Sequence, residues 1–118
     1  MPLKQDHILK AQANEAFALS LDDKRTSNID WIITALFYSA IHYVEAYLAN
    51  LNIHPTTHRA RDSAIERDLR LKDIFEDYGE LKNYSINARY YMVHFSSADV
   101  SYLISCLNRI KSNVASLL

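Results

Sequence analysis

Residues 31–51 read WIITALFYSAIHYVEAYLANL and contain neither glycine nor proline. A run this long without a breaker reads as one helix. Apolar or aromatic side chains fall on nearly every one of its faces, the pattern of a helix surrounded by other helices. This stretch therefore dictates a helical bundle with residues 31–51 at its centre. Ser27 and Asp30, three residues apart, form a candidate capping box for its start. Its end is expected near Asn52, before a loop carrying Pro55.

The rest of the chain supplies the surrounding helices. One glycine and two prolines in 118 residues leave few sites for tight turns and argue against a strand-rich fold. A first helix is predicted over residues 4–21, with Leu9, Ala13, Ala16 and Phe17 near one face. The polar break Asp22-Asp23-Lys24-Arg25 follows it. A third segment starts at Thr57 or His58 and runs to about residue 69. A fourth covers residues 71–91, with Ile74, Tyr78, Leu81, Ser85 and Ala88 on one stripe. Gly79 inside it suggests a close helix contact. Ser96 and Asp99 form a second capping box, opening a last helix with Leu103, Leu107, Ile110, Val114 and Leu117 along one seam. The expected fold is all-α, an up-and-down bundle of four to five helices forming one domain over residues 1–118. Trp31, Leu36, Ile41, Leu48, Leu81, Leu103 and Leu107 are its expected core.

Composition excludes several functions. The net charge of −1 lacks the basic excess that drives a dedicated duplex-DNA binder. The single cysteine, Cys106, permits neither an intrachain disulfide nor a thiolate metal cage, and reads as a buried small residue. The polar N-terminus MPLKQDHILK does not resemble a signal peptide. No unbroken apolar run approaches the roughly 20 residues of a membrane span. A cytoplasmic protein without a membrane association is expected.

Three constellations could carry chemistry. Arg89 and His94 bracket the expected end of the fourth helix. A guanidinium grips phosphate oxygens in a fork, and an imidazole moves protons near neutral pH. Five helical positions turn a side chain by about 140°, so the two can cooperate only if the helix ends between them. Tyr38, His42 and Glu45 lie one turn apart on the central helix, where polar groups require partners. They form either a pocket floor or a satisfied buried network, and an Arg beside Glu45 is expected. His54-Pro-Thr-Thr-His58-Arg59-Ala-Arg61 opens the third helix, and residues 59–72 carry five cations against three carboxylates. A helix start with nearby cations attracts phosphate. No cluster shows convincing metal-ligand spacing, so neither a metal nor another cofactor is expected.

The segments FYSAIHYVEAYL, HPTTHRAR, Tyr78-x-x-Leu81 and SINARYY together resemble the HEPN superfamily of small helical domains, over roughly residues 4–115. The resemblance implies an RNA or nucleotide ligand, a homodimer, and a place in toxin–antitoxin or defence systems. A nucleotidyltransferase antitoxin is an implied partner. Many members carry an arginine, four to six residues and a histidine ahead of the last helix; in ribonuclease members these form a metal-independent active site at the dimer interface. Arg89 and His94 match that motif. Tyr90 stands where nuclease members usually have Asn, Asp or His. In HEPN-like proteins with an Ala-Arg-Tyr signature, the more characteristic polar set corresponds to His42, Glu45, His58 and Arg61. The resemblance thus implies a candidate endoribonuclease using Arg89 and His94. Its alternative is a non-catalytic nucleotide-binding or protein-interaction module using His42, Glu45, His58, Arg61 and Tyr90.

Overall fold

The computed structural model describes residues 2–118. Five α-helices and one 3-10 helix follow one another: α1 (Lys4–Ser20), α2 (Thr26–Asn50), α3 (His58–Arg67), the 3-10 helix (Leu69–Ile74), α4 (Phe75–Tyr90) and α5 (Ser97–Leu117). There is no strand among the described residues.

α2 is the axis of the molecule. Ile32, Ile33, Leu36, Phe37, Ala40, Val44, Tyr47 and Leu48 are buried along it. α1, α4 and α5 all pack on it. An 18-residue window of α2 reaches a mean hydropathy of 1.3, enough by length and composition to cross a membrane. Yet 72 % of that window is buried within the chain, as in a core helix. The stripe Ile74, Tyr78, Leu81, Ser85 and Ala88 is buried as its spacing predicts. So are Leu103, Leu107, Ile110 and Val114 of α5, and Cys106 beside them. Arg109 donates two hydrogen bonds to Asp77, of 2.9 and 2.8 Å, fastening α5 to α4.

Helix starts follow local chemistry. At α5 the Ser96 backbone N–H donates to Asp99 at 2.8 Å, completing the expected capping box. At α3 the Thr57 hydroxyl accepts from the Ala60 N–H at 3.0 Å. At α2 the expected box at Ser27 and Asp30 does not form. A turn built on Asp22, whose carboxylate accepts from the Lys24 N–H at 2.9 Å, leads directly into a helix that already begins at Thr26. Ser27 thus lies within the first turn, and Asp30 projects outward.

Four other expectations are corrected. α1 buries His7, Ala11 and Ala18, not the predicted face; Leu9, Ala13, Ala16 and Phe17 are exposed. The Ser39 hydroxyl donates to the Ala11 carbonyl at 2.8 Å. An approach that close needs small residues between α1 and α2, so the helix turns its larger side chains outward. Trp31 is 64 % exposed, because α2 buries its Ile29, Ile32 and Ile33 side in the first turns. Gly79 marks no close contact: a Cβ built there meets nothing within 4 Å. The predicted fourth helix is also divided, its first turn being the 3-10 helix Leu69–Ile74.

Candidate functional site

The chain carries two distinct polar constellations, and α2 contributes to both. The first surrounds Glu45 on the second-from-last turn of α2. Arg61, on α3 and 8 % exposed, donates from Nε to Glu45 Oε1 at 2.7 Å, and one of its terminal nitrogens lies 2.6 Å from the same oxygen. His58 Nδ1 lies 3.1 Å from the other terminal nitrogen, which donates to it. On the far side of the carboxylate, Glu45 Oε2 lies 3.2 Å from His7 Nδ1 and 3.8 Å from His42 Nδ1. The two imidazole nitrogens are 3.1 Å apart, and their rings stack with centroids 5.4 Å apart. Burial lowers the His42 pKa, more than Glu45 raises it. Burial, then the Arg61 charge, lowers that of His58. Both rings are therefore neutral at neutral pH.

This network joins three elements: His7 from α1, His42 and Glu45 from α2, and His58 and Arg61 from α3. The expected pairing of Glu45 with an arginine is present. His7 was not legible, since nothing in a local window links it to a position 35 residues away; its one signal is helical register with the buried Ala11 and Ala18. Tyr38 does not join this network. It lies about a turn away and contacts Arg89 instead. A pocket of about 210 Å³ opens beside the network, lined by Pro2, His7, Glu45, Ile53, His54, Pro55 and Thr56.

The second constellation lies at the other end of α2. α4 ends at Tyr90, between Arg89 and His94, as their cooperation requires. Arg89 donates from Nε to the Ser85 carbonyl at 3.3 Å and reaches the Tyr38 hydroxyl at 3.4 Å. Its guanidinium lies 5.8 Å from the Tyr38 ring centre and 5.1 Å from that of Tyr90. No carboxylate among the described residues forms an ion pair with it, whereas Arg61 and Arg109 are held by Glu45 and Asp77. His94 is exposed in the segment between α4 and α5. Arg89 lines a groove of about 320 Å³ with Ser27, Asp30, Trp31, Thr34 and Ala88. His94 lines a second, of about 340 Å³, with Thr26, Ser27, Ile29, Asp30 and Phe95. Ser27 and Asp30 border both, so the two grooves adjoin.

A HEPN domain model matches residues 7–117, nearly the whole chain. The chain belongs to the HEPN family. No curated protein and no solved structure matches it. Within this HEPN domain the residues singled out by sequence fall into two groups. His42, Glu45, His58 and Arg61 come together; Tyr90 does not join them and lies beside Arg89 on the outer surface. The surface around Arg89 is also apolar. Trp31, Tyr90, Tyr91 and Met92 are exposed by 64, 68, 69 and 83 %. Neither Trp31 nor Asp30 was expected there, because an apolar run and a capping motif gave them structural roles.

Proposed function

We propose that this HEPN domain is a metal-independent endoribonuclease that works as a homodimer, with Arg89 and His94 as its catalytic residues. The observation that carries the reading is the Arg89 guanidinium. It is positioned by aromatic faces and a carbonyl, free of a carboxylate, beside a groove that continues to an exposed histidine. Aromatic faces hold a guanidinium without neutralising it, which leaves N–H groups for phosphate oxygens.

In this reading the 2′-hydroxyl of a ribose attacks the adjacent phosphorus. His94 transfers a proton to or from the reacting oxygens, and Arg89 stabilises charge developing on the phosphate. Trp31 and Tyr90 offer faces on which bases can stack, the usual way of holding unpaired RNA. The exposed apolar residues around the groove support self-association, since surfaces of this kind mark interaction sites. A two-fold axis there places two Arg–His pairs in one cleft. A toxin–antitoxin or defence role, with a nucleotidyltransferase antitoxin as partner, follows from the family resemblance.

The test is a labelled, largely single-stranded RNA incubated with wild type, Arg89→Ala and His94→Ala, with and without excess EDTA. His94→Ala is expected to slow cleavage by roughly 10²- to 10⁴-fold, the usual contribution of general acid–base catalysis. Arg89→Ala is expected to weaken both RNA binding and rate. Full activity of His94→Ala, or abolition by EDTA while circular dichroism shows the chain still folded, overturns the mechanism. Binding without cleavage across varied RNAs favours a nucleotide-binding module.

A further inference from the structure

We propose that His7, His42 and Glu45 form a binding site for one first-row divalent transition-metal ion, with zinc as the representative case, bridging α1 and α2. The inference is independent of the ribonuclease reading. Along α2, Glu45 and Asp30 are 15 residues apart, roughly 20 Å at 1.5 Å per residue.

The distances carry the argument. His7 Nδ1, His42 Nδ1 and Glu45 Oε2 stand 3.1, 3.2 and 3.8 Å from one another. Three corners of a tetrahedron with bonds of about 2.0–2.1 Å are about 3.3–3.4 Å apart. A point about 2.1 Å from all three atoms lies about 0.7 Å outside their plane, the displacement a tetrahedral ion takes from three of its ligands.

Proton accounting points the same way. A carboxylate oxygen only accepts, and each neutral imidazole nitrogen either donates or accepts. Two Nδ1 atoms 3.1 Å apart cannot both carry a hydrogen between them. A hydrogen on His7 Nδ1 cannot point straight at both His42 Nδ1 and Glu45 Oε2, and a hydrogen on His42 Nδ1 donated to His7 leaves the His7–Glu45 contact without one. Neutral imidazoles thus leave at least one of these contacts without a hydrogen, whereas one cation satisfies all three atoms at once.

The surroundings complete the arrangement. Arg61 holds Glu45 by Oε1 and leaves Oε2 to the histidines, and His58 in turn holds Arg61. Ligating carboxylates are commonly fixed in this way through their second oxygen. The side chains of His7, Glu45 and His42 are only 9, 12 and 23 % exposed. The pocket that includes His7, Glu45 and His54 provides an approach and room for a water as fourth ligand. Two imidazoles and one carboxylate suit zinc, cobalt or nickel, and not the all-oxygen preference of magnesium or calcium.

The experiment uses the full chain without a histidine tag, stripped of metal. Cobalt(II) is titrated while visible absorption is followed, zinc is titrated by calorimetry, and magnesium serves as the control. One ion per chain is expected, with micromolar or tighter zinc affinity, the visible bands of four-coordinate cobalt and a higher Tm with zinc. His7→Ala and His42→Ala are each expected to weaken zinc binding at least about tenfold, since even outer-sphere partners of a metal contribute that much. His94→Ala is expected to leave it unchanged. Circular dichroism reports whether each variant folds. Should either fail to fold, nitrogen-15 spectra of the wild-type imidazoles replace it, with the signals of His7 and His42 moving on zinc addition. No saturable binding, affinity unchanged in both variants, or movement of other histidines in place of these overturns the proposal.

Discussion

Replacing Glu45 by alanine is expected to destabilise the fold more than almost any other single surface-reaching change. Arg61 is 8 % exposed, and its only carboxylate partner among the described residues is Glu45. Without it the guanidinium stays buried with no carboxylate, beside His58, a neutral ring that can accept one hydrogen bond. Breaking a buried pair from one side costs about 3–5 kcal/mol. Domains of this size are stable by about 5–15 kcal/mol in all, so about a fifth of the total or more is at stake. At roughly 4 °C per kcal/mol, Tm should fall on the order of 12–20 °C. The assay is urea unfolding of metal-free protein followed by far-ultraviolet circular dichroism. It is run alongside Arg61→Met and the double variant Glu45→Ala/Arg61→Met. Removing both charges takes away the stranded ion, so the double variant should recover much of the loss. A Glu45→Ala loss under about 1 kcal/mol, or strict additivity in the double variant, refutes the argument that the network is a tightly coupled buried pair.

Gly79→Ala should stabilise the chain by about 0.5–1 kcal/mol, because the position is helical and an added Cβ meets nothing within 4 Å; a lower urea midpoint would contradict this. The folded chain holds the His42 and His58 pKa values below 6.5, so the unfolded chain takes up protons first as pH falls. Their contribution is complete above pH 6.5 and is lost on going down through the lowered values, so metal-free protein should unfold at less urea at about pH 5.5 than at about pH 7.5. A flat or rising midpoint would contradict the assignment, and a His42→Asn/His58→Asn chain should lose much of the slope. Trp31→Ser should weaken self-association about tenfold or more without lowering stability, as sedimentation and unfolding would show; an unchanged dimer places the interface elsewhere.

What the sequence disclosed depended on how far apart the cooperating residues lie. Periodicity within one helix placed the buried stripe from Ile74 to Ala88 and the seam from Leu103 to Val114. A local capping box placed the start of α5. The end of α4 between Arg89 and His94 was legible because the Ser96–Asp99 box marks the next helix start. Trp31 was misread because a helix apolar on every side does not say which side remains uncovered. The exposed face of α1 was misread for a related reason. Leu9 and Phe17 outweigh Ala11 and Ala18 in any hydrophobicity count, yet the approach of Ser39 to a backbone carbonyl favours the smaller pair. His7 depends on a contact 35 residues away, and only the folded packing reveals it.

The alanine-lined attachment of α1 also has a consequence for motion on slow timescales. α1 contributes few large side chains to the core. It is held by the Ser39 bond to Ala11, by Glu15 receiving Tyr43 and Lys111 at 2.9 and 3.0 Å, and by His7 at Glu45. Polar tethers return to water at modest net cost, about 0.5–1.5 kcal/mol each, whereas α2 cannot leave without dismantling the whole core. In hydrogen exchange, α1 should therefore open as a separate unit ahead of global unfolding, with its amides exchanging faster than those of α2 and α5. Each opening would briefly bare the apolar flank of α2 that Ala11 and Ala18 cover.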